Sequence, residues 1–410
     1  MKYFFILGSN PTLSLAELAS VFSDGRLALA QTNIATLETD TEIKADLLYR
    51  IGGTIKFGLI YDELTTPRPQ DILKAAAIFA KPEKTETKFY FGISFYGKAK
   101  INLKVLGMEF KKLLKLEGIS SRWVISREPT LSSVVVEQNK LTTAKGAEIV
   151  IIQFDKKLLI GKTLAVQPFK ELSFRDYGRP ARDDRSGMLP PKLAQIMINL
   201  ALPPFRKGGR GAYSSPYEGE DKGEVTILDP FCGSGTIVTE AMLMGHTNII
   251  GSDISPRAVD DTKKNIAWTE KNYEIQNTKY KILTLDASQI TKQIQPNSID
   301  AIITEPYLGP QRGGFDRSKI VKDLERLYEK SLMEFKKILK PDGRIVMVWP
   351  VFSGQFKSIF INPSLAGLKI INPIPDNLQK NIFLKLTDRE TIVYGREEQK
   401  VWREIVVLEK

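Results

Sequence analysis

Two aspartates and two glycines sit at spacings that can build a small-molecule site. Asp229 closes the apolar run Val225–Leu228, Gly233 and Gly235 follow it, and Asp253 closes a second run containing Ile249 and Ile250. Pro230 cannot continue a ladder, so the first run ends there as a strand. Thr236 to Met244 reads as a helix stopped by Gly245. This strand–glycine loop–helix–strand unit is the opening of a doubly wound sheet, whose ligand belongs beyond the carboxyl ends of the strands. The dinucleotide fingerprint is broken at Val238, and no Gly-Lys-Ser/Thr follows to make a phosphate loop. What remains suits a ligand with an ammonium, a carboxylate and a ribose diol, and S-adenosylmethionine carries all three. Asp229 would meet the ammonium or order the loop, N–H groups near Gly233 and Gly235 the methionine end, and Asp253 the ribose hydroxyls. A structural turn with capping aspartates satisfies the same spacing.

The longer stretch Asp229-Pro-Phe-Cys-Gly-Ser-Gly-Thr-Ile-Val-Thr-Glu-Ala241 resembles the cofactor motif of RNA methyltransferases that carry a THUMP domain, most closely the tRNA guanine-N2 methyltransferases acting at tRNA position 10. The resemblance implies an α/β chain. A C-terminal Rossmann-like class I methyltransferase with a mostly parallel, seven-stranded sheet would follow an N-terminal α+β region of ferredoxin-like and THUMP parts. It implies S-adenosylmethionine as cofactor and adds Phe231, Thr236, Ile254, Asp286 and Ala287 to its contacts, with Asp286 placed to accept from the adenine amino group. A helix-capping Asp is the other reading of Asp286.

Thr304-Glu305-Pro306-Tyr307 follows a strand over Ile299–Thr304, where amine-directed methyltransferases carry Asp/Asn-Pro-Pro-Tyr/Phe/Trp. An exocyclic base amine is a poor nucleophile because its lone pair is delocalised into the ring. A side-chain oxygen and a backbone carbonyl that each accept one N–H stabilise the charge developing on nitrogen. The aromatic residue stacks on the base and aligns the transfer. Tyr307 keeps the ring and Pro306 still biases residue 305 to an extended backbone, but Thr304 replaces the acid and Glu305 the first proline. Either Glu305 takes over as acceptor, or the target is not an exocyclic amine, or activity is lost. A noncatalytic RNA-binding protein on a cofactor fold, or a methyltransferase for another RNA or DNA base, are the alternatives to methylation of guanosine N2 in tRNA.

The elements that must position these groups alternate along the chain. Strands are expected at Lys2–Leu7, Leu27–Leu37, Ile55–Tyr61, Phe89–Phe95, Trp123–Ser126, Val134–Glu137 and Ile149–Phe154, with helices at Leu13–Phe22, Glu42–Arg50, Asp71–Ala80 and Asn102–Leu116. The last helix gathers Leu103, Leu106, Phe110, Leu113 and Leu114 on one face and Lys104, Lys111, Lys112 and Lys115 mostly on the other. Lys98–Glu128 holds eight Lys/Arg against three Asp/Glu. A solvated amphipathic face explains such a run. Phe91–Gly97 and Leu131–Leu141 resemble the middle and final THUMP strands, which implies RNA binding through Lys104, Lys111, Lys112, Lys115 and Arg122.

The expected domains are a ferredoxin-like domain at 1–65, a THUMP-like domain at 66–166, a linker and cofactor-covering helix at 167–202, a disordered insertion at 203–224 and the methyltransferase at 225–410. In the linker, Leu193, Ile196, Met197 and Leu200 stripe a helix entered at Pro190-Pro191. Arg179, Arg182 and Arg185 either contact phosphate or pair with Asp183 and Asp184 as an ordinary salt-bridged linker. In the insertion ten of 22 residues are Gly, Pro or Ser, and its charges cancel. Beyond Asp253, Ser255-Pro256 caps a helix to about Trp268, Ile282–Leu285 is a strand, and a long helix through Leu324 and Phe335 ends at Pro341-Asp-Gly343. Arg344–Trp349 then forms a strand, Trp349 in the core, and Thr391–Tyr394 with Val401–Leu408 resembles a closing hairpin.

A chain of 410 residues has room for two or three cores, and its net charge of +11 favours a polyanionic partner without saying which; tRNA or another structured RNA is what the family resemblance implies. One cysteine, Cys232, excludes an internal disulfide and reads as packing; one histidine, His246, leaves no zinc site and reads as a surface or helix-cap residue. The amino terminus reads as a strand rather than a signal peptide, and no stretch reaches the ~18–20 apolar residues of a membrane span. A cytoplasmic protein without metal or membrane is expected; oligomeric state is not legible.

Overall fold

The structure is a computed structural model of the whole chain, and it describes every residue except 66, 83–86, 183–187, 203–224, 276–277, 311–315, 354–357 and 397. The expected insertion and Asp183, Asp184 and Arg185 therefore lie outside the described residues. The chain divides into two compact units.

The first unit carries an eight-stranded sheet: β1 (Lys2–Leu7), β2 (Arg26–Gln31), β3 (Ile34–Glu38), β4 (Thr54–Leu64), β5 (Phe89–Tyr96), β6 (Ser121–Val124), β7 (Gly146–Phe154) and β8 (Lys157–Val166), in the order β2-β3-β1-β4-β8-β7-β5-β6. Of the helices in this stretch, α1 (Pro11–Val21) falls almost entirely in the second unit, while α2 (Pro69–Phe79), α3 (Leu103–Leu116) and α4 (Ser133–Gln138) belong to the first. Leu106, Phe110 and Leu114 of α3 are buried with Phe91 and Ile149 of the sheet. Because β4 and β7 present polar groups inside, the core closes over a buried ion pair. Lys56 donates to Glu148 at 2.8 Å and to the Leu131 carbonyl, while Thr163 and Ser94 complete the carboxylate's shell. Every group in it is bonded, which such burial requires.

Several expectations about this region fail. Leu27–Leu37 is not one strand but the antiparallel pair β2 and β3, and Glu42–Arg50 holds only a short 3-10 turn at Ala45–Tyr49. Val134–Glu137 is not a strand but part of α4. The Ser132 side chain accepts from the Val135 N–H as an N-cap, and Val136 packs with Leu131 and Leu141. Local capping and one buried face outweigh the β-propensity of three valines. Conversely, β8 went unread. It is paired on both sides, by β4 and β7, so its apolar run lacks clean alternation.

The second unit comprises Thr12–Ser23, Arg50–Gly53 and Phe169–Lys410. After α5 (Phe169–Tyr177) and α6 (Pro191–Ala201) come β9 (Thr226–Asp229), α7 (Thr236–Leu243), β10 (Asn248–Asp253), α8 (Pro256–Tyr273), β11 (Lys279–Thr284), β12 (Ile299–Thr304), α9 (Arg317–Ile338), β13 (Leu339–Phe352), β14 (Ile359–Phe360), β15 (Lys369–Ile370), β16 (Ile392–Tyr394) and β17 (Val401–Glu409). Its sheet runs β11-β10-β9-β12-β13-β17-β15, with short β14 and β16 attached beside β13 and β17. The first five strands are parallel and β17 is antiparallel. The doubly wound expectation holds, with seven strands on the main path. The long helix stops at Ile338, earlier than Pro341, because Leu339 already pairs with Ile299 and the chain runs on as strand. Trp349 is fully buried beneath the Arg389 guanidinium, 4.8 Å from its ring centroid.

Helix α1 joins this unit through one buried carboxylate. Glu17 accepts from the N–H groups of Gly52 and Gly53 and from the Asn199 amide on α6, at 2.8–2.9 Å. A Cβ at Gly52 would lie 1.9 Å from the Lys192 carbonyl, so only glycine fits that approach.

Candidate active site

The sheet order reverses between β9 and β12, and a doubly wound sheet opens its crevice at such a reversal. Asp229 and Thr304 end those two strands, and Asp253 ends β10 beside them. Gly233 and Gly235 take the left-handed backbone, φ +53° and +83°, and a Cβ at Gly235 would also meet Thr262 Cγ2 at 2.9 Å. The loop between them is pinned from two sides. Asp229 Oδ1 accepts from the Phe231 N–H at 3.2 Å, and Asp253 Oδ2 from the Gly233 N–H at 3.0 Å. From α8, Thr262 donates to the Gly233 carbonyl at 2.8 Å and Asn265 to the Ser234 carbonyl at 2.7 Å. Asn265 also exchanges two hydrogen bonds with the backbone of Ala181.

Sequence reasoning missed Thr262 and Asn265. Their signal was present: they are buried on the same face of α8 as Val259 and Ile266, where an amphipathic helix should be apolar. Polar residues on that face imply a partner, here the Gly233–Gly235 loop.

Asp253 spends one lone pair per oxygen on Gly233 and Ser255, and a carboxylate has about four. Asp286 does cap the short helical turn at Ala287–Lys292, through Oδ1 to the Ser288 N–H and hydroxyl, as the capping reading expects. Ile254 is exposed past the end of β10, Ala287 is buried, and Phe231 is half-buried in the loop. Thr236 opens α7, with Gly235 as its cap residue. The donor set therefore fits a zwitterionic nucleoside such as S-adenosylmethionine: buried carboxylate, glycine loop and a second carboxylate converge on one crevice.

The tetrapeptide divides its labour. Thr304 is fully buried, and its hydroxyl donates to Asp229 Oδ1 at 2.8 Å. Glu305 pairs through Oε1 with Arg403 Nε of β17, both side chains about one-tenth exposed. Arg403 is in turn held by the Met188 carbonyl at 3.4 Å. Pro306 is buried, whereas Tyr307 is 56% exposed. The Tyr307 backbone is held by the buried Tyr328 hydroxyl of α9, which donates to its carbonyl at 3.0 Å. A rigid backbone thus presents an open ring.

Burial dominates the electrostatics. It pushes the Asp229 carboxyl up to about 7, aided by the negative charges of Asp253 and Glu305, while hydrogen bonds from Thr304 and Phe231 pull the other way. Glu17 and Glu240 are likewise raised to about 7, by burial first. Cys232 is buried with its thiol pushed far up, which makes it the expected packing residue. His246 donates its N–H to the Ala241 carbonyl as a helix cap, but it is half-buried rather than on the surface, and burial lowers its pKa to about 4. Glu240 is also ion-paired with Arg175 at 2.8 Å, so the sign is set by Glu17 and Asp229, whose folded values lie above the unfolded ones. Their contribution to stability is full below about pH 4 and is lost as pH rises through 7. The melting temperature of the ligand-free protein should therefore fall between pH 5 and pH 8, and Glu17→Gln should flatten the slope. Scanning calorimetry that gives a rising curve over that window would show these carboxyls already ionised in the folded state.

In the first unit, Lys104, Lys111, Lys112 and Lys115 of α3 and Arg122 of β6 are all exposed, and Lys112 pairs with Glu109 at 2.6 Å. Among the described residues no cluster of His, Cys, Asp and Glu suits a metal ion, and no helix is long and apolar enough to cross a membrane.

Comparison with known proteins agrees with this geometry. Residues 218–357 match the family model UPF0020, described as an RMKL-like methyltransferase domain. The tRNA (guanine(10)-N2)-dimethyltransferase of Methanothermobacter thermautotrophicus is 32% identical over 164 residues, 40% of this chain and 39% of that protein. The enzyme of the same name from Methanocaldococcus jannaschii is 27% identical over 219 residues, 52% of this chain and 51% of that one. The chain thus spans about half or less of the length of these curated relatives. The crystal structure of TrmN from Thermus thermophilus aligns over the full length of both chains with a TM-score of 0.51 at 16% identity, a likeness of fold.

Proposed function

We infer that this chain, whose residues 218–357 match the RMKL-like methyltransferase domain model, is an S-adenosylmethionine-dependent RNA methyltransferase acting on the exocyclic N2 of a guanosine in tRNA. The observation that carries the reading is the exposed Tyr307 ring standing at the end of β12, beside the crevice where Asp229, Asp253 and the glycine loop converge. The cofactor supplies an electrophilic methyl group on a sulfonium. The chain's own residues do the rest. Tyr307 stacks the target base, the carbonyl of residue 305 accepts one amine N–H, and Glu305 Oε2, the oxygen that Arg403 leaves, accepts the other. The names of the curated relatives favour tRNA guanosine, and the basic face of α3 supports a polyanionic partner.

A noncatalytic reading draws on one fact: Glu305 is already ion-paired. Mass analysis of tRNA nucleosides after incubation with methyl-labelled cofactor separates the two. Label in N2-methylguanosine or N2,N2-dimethylguanosine is expected; cofactor binding with no label in RNA would leave a binding protein.

Asp253 tests the cofactor side. Asp253→Ala removes the ribose acceptor and the tie to Gly233 together, and should weaken S-adenosylhomocysteine binding by roughly 1.5–3 kcal/mol, the scale of hydrogen bonds to a charged group. Calorimetry showing unchanged affinity in a folded variant would remove that role.

A further inference from the structure

Arg179 is out of place for a linker residue. It is 5% exposed, so it cannot serve as the surface phosphate contact that the charge pattern allowed. Its neighbour Arg175, equally buried, is balanced by Glu240 at 2.8 Å, and Glu240 also takes Gln195. Arg179 has no such partner: among the described residues no carboxylate lies within 4 Å of its guanidinium. One nitrogen donates to the Thr236 hydroxyl, another reaches the Met188 sulfur at 3.6 Å, and Nε has no acceptor. Burial lowers its pKa, with only longer-range help from Asp176 and Glu240. An uncompensated buried cation is costly.

Its position deepens the anomaly. Thr236 is the first residue of α7, whose N-terminus already carries partial positive charge, and its cap residue Gly235 offers no side chain to satisfy the first N–H groups. A guanidinium placed there adds like charge to like. Both costs disappear when an anion occupies the spot, because it pairs with the guanidinium and accepts from the helix N-terminus together.

We propose that Arg179 and the N-terminus of α7 form the receptor for the carboxylate of the cofactor's amino-acid end, opposite Asp229, which takes the ammonium. The site then reads a zwitterion with one buried group of each sign. Asn265 couples the two halves, since it holds both the Ser234 carbonyl in the loop and Ala181, two residues beyond Arg179. This inference rests on the methyltransferase reading and goes beyond it in naming which end of the ligand is recognised, and by what.

The test is calorimetric binding to the full chain, with S-adenosylhomocysteine, its methyl ester and 5′-methylthioadenosine, which lacks the amino-acid end. In Arg179→Met, S-adenosylhomocysteine affinity should fall by about 30-fold or more, within the range for a charge-assisted hydrogen bond. Affinity for 5′-methylthioadenosine should stay within about twofold, and Arg179→Lys should recover part of the loss. Should Arg179→Met fail to fold, the ligand side decides alone: the wild-type protein should bind the methyl ester about 30-fold more weakly than the acid. Equal affinity for ester and acid, or an Arg179→Met variant that loses both ligands in parallel or neither, would overturn the assignment. Failure of the wild-type protein to bind S-adenosylhomocysteine at all is a different result, and removes the cofactor reading itself.

Discussion

Glu305→Gln should bind cofactor and tRNA as the wild type does, yet methylate at a rate lower by ~10²-fold or more, the scale of losing one preorganised transition-state contact. The substitution keeps the shape and leaves an oxygen that can accept. It removes the charge that offsets the positive charge growing on nitrogen, and it breaks the pair with Arg403 that holds the side chain. Thr304→Val should behave differently. Its hydroxyl donates to Asp229, so its loss deprives a buried carboxyl of a donor and should appear as weaker cofactor binding rather than slower chemistry. Tyr307→Ala, which removes the exposed ring but not the backbone held by Tyr328, should cost ~1–3 kcal/mol in the step that needs the stacked base. Single-turnover methylation with saturating cofactor separates the three. A Glu305→Gln enzyme at wild-type rate beside an inactive Thr304→Val would transfer the acceptor role to the hydroxyl.

The cofactor half was legible because its signals are local. A strand closed by Asp229-Pro230, two glycines at left-handed φ and a strand closed by Asp253 are each set within a few residues, and the sheet they imply is the one observed. What escaped depends on distance along the chain. Asn265 meets Ala181 across 84 residues and Arg403 meets Glu305 across 98, and neither has a periodicity that announces its partner. Glu17 lies further still, 182 residues from Asn199, which is why a helix near the amino terminus read as part of the first unit. Arg179 was misjudged for a related reason. In sequence it stands among acids and looks solvated, and only the packing of the second unit shows it buried. The valine run at 134–136 failed oppositely: its local propensity was clear and the fold overrode it.

Reversing the basic stripe of α3 should abolish tRNA binding while leaving cofactor binding untouched. Lys104, Lys111 and Lys115 follow one another at helical spacings of seven and four, so they line one exposed stripe. Met108 lies between the first two, 49% exposed, and Leu106, Phe110 and Leu114 anchor the opposite face in the core. Arg122 stands exposed on β6, which packs against α3. Lys112 is left out because Glu109 already holds it. Each cation that neutralises a phosphate releases counterions, contributing about 0.7–0.9 to the slope of log affinity against log salt. Four such contacts predict a loss of about 10²-fold between 50 and 200 mM salt in the wild type, and a slope shallower by about three units in the quadruple Glu variant. Both titrations use the full chain, because α1 completes its buried contacts only with residues from 50–53 and from 169 onward. Unchanged S-adenosylhomocysteine affinity certifies that the variant is folded. A variant with wild-type tRNA affinity and an unaltered salt slope would mean that the lysines only solvate their helix, and that RNA is held elsewhere.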